Sequence, residues 1–150
     1  MRKYIGIKLI DAEPMSLGEY NNFKRWAIPA NENPDKEGYK VKYSDNYISW
    51  SPKEIFDSSH LKLTDPEGTR ILQEDVDNFI LFSQSSKIGD KTTILHTTLK
   101  NDFELLESSA CVDPDNFNIE IGTQICLDKI RDRVWGYLGF LLQCAKGGMK

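Results

Sequence analysis

Residues 38–56 read GYKVKYSDNYISWSPKEIF. Tyr39, Val41 and Tyr43 alternate with Lys40 and Lys42, the period-2 pattern of a half-buried strand. Ser44, Asp45 and Asn46 predict a turn, because short polar side chains bond the local backbone and tolerate left-handed φ. Tyr47, Ile48 and Trp50 return as a second strand. Ser51 then stands where a helix cap belongs, Pro52 suits the first helical position, and Glu54 at the third closes a capping box. The stretch predicts a hairpin running directly into a helix, with a high density of aromatic rings.

Toward the N-terminus, Tyr4–Ile10 (YIGIKLI) is an apolar run that predicts a first strand, ended by Glu13-Pro14. Ser16-Leu17-Gly18-Glu19 has capping-box spacing, and Leu17, Tyr20 and Phe23 share one face of a short helix to about Arg25. The polar, Pro- and Gly-bearing run 30–38 is a loop. Beyond the hairpin, Leu61–Gly68 is the candidate boundary, because Asp65-Pro66-Glu67-Gly68 interrupts the periodicity with turn formers. The domain organisation expected is a module over 1–62 and a second over 69–150. In the second, Ile71, Leu72, Val76, Phe79 and Ile80 fit a short helix, and Ile80–Ser86 is extended. Gly89-Asp90 turns the chain into the strand Thr92–Leu99. Asn101-Asp102 reads as a two-residue turn into Phe103–Ser109. Ile121, Ile125, Ile130, Val134, Leu138 and Leu141 then step by about one helical turn each, a long amphipathic helix ended by Gly147-Gly148. The fold class is α+β: a strand–helix–hairpin–helix module, then an antiparallel β-meander with a long C-terminal helix.

The chain has 150 residues, 28% charged and 39% hydrophobic, the balance of a soluble globular protein. No apolar run approaches the roughly 20 residues needed to span a bilayer, and Met1-Arg2-Lys3-Tyr4 lacks an apolar signal region. A cytoplasmic location is expected. The net charge of −4 argues against a general nucleic-acid binder but leaves room for a locally positive pocket. Cys111, Cys126 and Cys144 offer neither metal spacing nor a disulfide framework, and read as reduced and mostly buried.

At Ser109-Ala110-Cys111-Val112-Asp113-Pro114 a resemblance enters. The run TTLKNDFELLESSACVDPDNFNIEIG resembles the gp-forty-nine-like family of small tailed-phage accessory proteins. Members pair a β-meander, an SACVDP-type corner and one long C-terminal helix with a GYLL-like segment, here WGYLGFLL from Trp135 to Leu142. The resemblance covers about 73–143. The N-terminal half is similar to a second phage-associated module, on Tyr4-Ile5-Gly6, Glu13-Pro14-Met15, Glu37-Gly38-Tyr39 and the run from Ser49 to Phe56. These resemblances imply a phage origin and a cytoplasmic accessory role, and bring no catalytic motif.

The residues themselves show no catalytic signature. His60 and His96 lack partners at metal-binding spacing, and no Walker, dinucleotide or GxSxG pattern exists. Asp113, Asp115 and Glu120 could hold a divalent cation, but fit better as a turn and as acids favouring the next helix's N-terminus. No metal and no cofactor is expected. The stronger lead is an aromatic–basic group around the hairpin: Arg25, Trp26, Tyr43, Tyr47, Trp50, Ser51 and Lys53. A base would stack on Trp50 or Tyr47, with phosphate held by Arg25, Lys53 and amides after Ser51. The competing reading is that these rings are core.

Three function classes follow. The first is counter-defence by sequestering a small nucleotide-derived immune signal of the host. The second is a protein-binding inhibitor of a host defence or nucleic-acid-handling enzyme, suited by the acidic surface. The third is a metal-dependent nucleotide hydrolase using Asp113, Asp115 or His96. An enzyme is not expected. Apolar residues on several faces of the last helix, Trp135 to Leu142, predict either a buried helix or a two-fold homo-oligomer through it.

Overall fold

A computed structural model describes all 150 residues. The chain divides into two compact units, Met1–Lys62 with Ala145–Lys150, and Leu63–Cys144. The fold is α+β, with one three-stranded antiparallel sheet over residues 11–52 and another over 80–110.

In the first unit, β1 (Asp11–Pro14), α1 (Leu17–Lys24), β2 (Gly38–Lys42), β3 (Ile48–Pro52) and α2 (Lys53–Asp57) follow in order. The first strand is therefore Asp11–Pro14 and not Tyr4–Ile10. β1 pairs Asp11 with Lys42 and Pro14 with Tyr39, while β3 pairs Pro52 with Gly38 and Ile48 with Lys42. Both edges of β2 are thus occupied, and Tyr4 and Ile5, each 90% exposed, meet no edge of it. Strand propensity without a partner makes no strand.

The hairpin loop is built as expected. Asn46 adopts φ 66°. Its N–H donates to Tyr43 O at 2.9 Å, Tyr43 N–H donates to Tyr47 O at 2.9 Å, and Asp45 Oδ1 accepts from Tyr47 N at 3.0 Å. This is a three-residue loop whose last residue is left-handed. The capping box of α1 also forms: Ser16 N donates to Glu19 Oε2 at 2.7 Å and Glu19 N to Ser16 Oγ at 3.3 Å. The expected Ser51 cap does not form. The ladder continues through Ser51, opposite Tyr39, and Pro52 takes the cap position with no side-chain bond. Lys53 N then donates to Glu37 O at 3.1 Å, so sheet pairing consumes the amide a cap would have served.

The second unit holds α3 (Gln73–Phe79), the meander β4 (Ile80–Ile88), β5 (Thr92–Leu99) and β6 (Glu104–Ala110), a 3₁₀ turn Pro114–Asn116, and α4 (Ile119–Gly147). Asp75, 4% exposed, sets the start of α3: its Oδ2 accepts from Leu72 N at 2.8 Å and its Oδ1 from Thr64 N at 2.7 Å. The β5–β6 connection is a three-residue loop, Lys100–Asp102, and not the two-residue turn expected. Asp102 N donates to Leu99 O, Leu99 N to Phe103 O, and Asn101 Oδ1 accepts from Phe103 N at 3.2 Å, with Asp102 at φ 63°. It repeats the construction of the Tyr43–Tyr47 loop.

Thr93, Leu95, Thr97 and Leu99 of β5 are buried and their neighbours are not, the alternation of a sheet covered on one face. Leu95, Leu99, Leu105 and Val76 form one core with Cys126, Ile130, Val134 and Leu138 of α4. The buried face of α4 runs Gly122, Cys126, Ile130, Val134, Leu138, Leu142, a strict step of four. That step drifts about 40° per turn of a 3.6-residue helix, so the contact line wraps around the helix as it follows a twisted sheet. Ile121, Ile125 and Leu141, expected on the inner face, are 61%, 43% and 39% exposed for this reason. All three cysteines are free, and only Cys126 is buried. No helix is long and apolar enough to cross a membrane.

Candidate functional site

The seven hairpin residues do not assemble one pocket. Strand alternation places Tyr43, Tyr47 and Ser51 on the face of the sheet shared with Tyr39, and Trp50 on the opposite face with Lys40. Trp50 is half-buried: its Nε1–H donates to Met15 O at 2.8 Å, and its indole occupies the space a side chain at Gly38 would need. Trp50 is a pin between β3 and the entry to α1. Trp26, 57% exposed, meets Tyr20 edge-on at 6.1 Å, with Lys24 Nζ 5.3 Å from its ring. Arg25 ends α1 in the left-handed conformation with its side chain exposed. Tyr43 and Tyr47 do pair, at 5.8 Å, and Lys8 Nζ lies 5.9 Å from the Tyr43 ring. Ser51 Oγ bonds its neighbour's carbonyl, Pro52 O, and Lys53 Nζ faces Asp57 Oδ2 at 3.8 Å. The five-residue α2 offers no anion site at its start.

The same unit contains a cleft of about 300 Å³ whose lining includes Met15, Glu19, Glu37, Gly38, Tyr39 and Lys53. Of the seven residues, only Lys53 borders it. Its aromatic wall belongs to a column: Tyr39 stacks on Phe56 at 4.2 Å and 27°, and Phe56 on His60 at 4.1 Å and 8°. The Asp57 carboxylate, with burial second, raises the Tyr39 hydroxyl pKa. Glu19 Oε2 accepts the Ser16 N–H, which holds that carboxyl below its ordinary pKa. Glu37 uses only its backbone carbonyl, toward Lys53 N, and its carboxylate takes no hydrogen bond or ion pair. The sequence signal for the column was the spacing of Phe56 and His60, four apart, with Phe56 in α2 and His60 just past the turn that ends it.

The acidic corner has no convergent ligands. Asp113 Oδ1 accepts from Asp115 N at 3.0 Å, and Cys111 Sγ donates to Asp113 O at 3.1 Å. Nowhere do three His, Cys, Asp or Glu side chains come together as a metal would require. His96 instead pairs with Glu104 at 3.5 Å on the outer face of the meander. On that face Phe82 and Leu106 are each 58% exposed and Ile88 55%. The charge is also segregated. Leu63–Cys144 carries 7 Lys and Arg against 14 Asp and Glu, a net −7; the other unit carries 12 against 9, a net +3.

The meander, the SACVDP corner and the long closing helix stand together over one core. Residues 70–145 match the family described as phage protein (N4 Gp49/phage Sf6 gene 66), and the chain belongs to that family. No curated protein and no solved structure matches it.

Proposed function

We propose that this phage-family protein acts by binding, without catalysis, and that it engages a basic host protein as a counter-defence. The observation that carries the reading is the net charge of −7 on Leu63–Cys144, beside an outer meander face bearing Phe82, Ile88 and Leu106. An exposed apolar face suits the core of a protein interface, and a net charge of one sign speeds encounter with its complement. Pull-down from a phage-host lysate over a salt series tests it. Expected is one basic protein whose retention falls steeply with salt. A capture insensitive to salt, or undiminished in a Glu104→Lys, Leu106→Asp variant, overturns it. The reading includes two-fold self-pairing through α4, whose Phe140 is 74% exposed. A strictly monomeric sedimentation profile removes that part.

A second reading is sequestration of a small nucleotide-derived immune signal by the first unit. It is favoured by the Tyr43–Tyr47 ring pair with Lys8 beside it and by that unit's excess of cations. Native mass spectrometry of protein from a signalling host decides it: a retained nucleotide supports it, and a clean apo mass favours the protein partner.

A further inference from the structure

We infer that the cleft beside Tyr39 is a receptor for a guanidinium group, one arginine side chain of the basic partner; the inference rests on the protein-binding reading. The charges around the cleft decide the sign of its ligand. Glu19 and Glu37 line it with two carboxylates, against the single ammonium of Lys53. Asp57 faces that ammonium at 3.8 Å, so the unanswered charge is negative, which disfavours a phosphate. Glu37 offers a carboxylate with both oxygens free of other bonds, and a guanidinium fork matches two such oxygens at once. Tyr39 offers a ring already held by the stack of Phe56 and His60 behind it. Planar guanidinium stacks on such a ring, whereas a tetrahedral ammonium neither stacks nor forks. A cleft of about 300 Å³ is at the small end of ligand pockets and suits one side chain rather than a dinucleotide.

The test is an NMR titration of the full chain with N-acetyl-arginine amide, alongside N-acetyl-lysine amide and guanosine monophosphate. The arginine probe is expected to shift the amides of Glu37, Gly38 and Tyr39 and to bind more tightly than the other two. Glu37→Gln, at an exposed position, weakens it by about tenfold. Lys53→Ala strengthens it by removing a like charge. A phosphate ligand requires the opposite response to Lys53→Ala, so a loss of binding there overturns the inference. So do shifts centred elsewhere, equal affinity for the lysine probe, or indifference to Glu37→Gln. If the lysate pull-down yields its salt-sensitive partner while the arginine probe is silent, the cleft assignment alone falls. If no such partner exists, the protein-binding reading falls with it.

Discussion

Gly122 of α4 packs so closely on Thr93 of β5 that a Cβ at position 122 would lie inside van der Waals contact with the Thr93 hydroxyl and its Cβ. Thr93 is 1% exposed and has nowhere to move. Gly122→Ala must therefore push the first turns of α4 off the meander. Such overpacking costs about 1–3 kcal/mol. Urea unfolding followed by circular dichroism is expected to show a lower midpoint. An unchanged midpoint would mean that the helix reseats freely.

Asp75 holds two backbone amides that are distant in sequence, Thr64 N and Leu72 N. Truncation to alanine leaves both donors without their acceptor in a part-buried site. Asp75→Ala is expected to destabilise by about 2–4 kcal/mol, and Asp75→Asn, which keeps one acceptor oxygen, by less. Hydrogen exchange should report faster exchange at Thr64 and Leu72 in both variants.

Besides Glu19, two carboxylates of Leu63–Cys144 tie stability to pH. Asp65 is held below the ordinary carboxylate range by the Thr69 amide, then by the Thr69 hydroxyl. Asp77 is lowered first by the Arg131 guanidinium and then by Gln73. A depressed folded-state pKa means that the unfolded chain takes the proton first as pH falls. The stabilisation is complete above the unfolded carboxyl value of about 3.9 and disappears as pH drops through the lower folded values. Melting temperature should thus be flat near neutrality and fall below about pH 4. Arg131→Met removes the main cause at Asp77, so its melting point should trail the wild type at neutral pH and approach it in acid.

Trp50 contributes structure through one bond, Nε1–H to Met15 O. Trp50→Phe keeps most of the ring and loses that donor, costing about 1 kcal/mol. Thermal melts should show this, while binding of the arginine probe stays unchanged. A variant of unaltered stability and lost binding would return Trp50 to the ligand site.

Local chemistry was readable wherever neighbours in sequence complete the interaction. The Ser16–Glu19 box, the left-handed Asn46, the meander and the long helix all belong to this kind. Failures arose where a distant partner decides. Tyr4–Ile10 has strand composition, but Asp11–Pro14 takes the edge of β2 beside Gly38–Lys42. Ser51 has capping chemistry, but pairing with Tyr39 keeps it in the ladder. Asn101-Asp102 carries turn composition, while the loop length is set by the bond between Leu99 and Phe103. The aromatic group of the hairpin was visible as composition. Its division between two faces follows from strand alternation, which separates Tyr47 from Trp50. The carboxylates Asp65 and Asp75 gave no motif, because their amide partners lie on loops whose course is fixed by the fold.

The meander joins its strands through short loops, Gly89–Lys91 and, closed by the bond between Leu99 and Phe103, Lys100–Asp102. Short closures exact little chain entropy, so both hairpins are kinetically accessible before any long-range contact exists. The slow event is the laying of a 29-residue helix across strands that begin nearly forty positions earlier. On a ribosome, β4, β5 and β6 emerge before the segment that covers their apolar face. The nascent chain therefore passes through an interval with Leu95, Leu99 and Leu105 bare, and this interval is when chaperones or premature association would act on it.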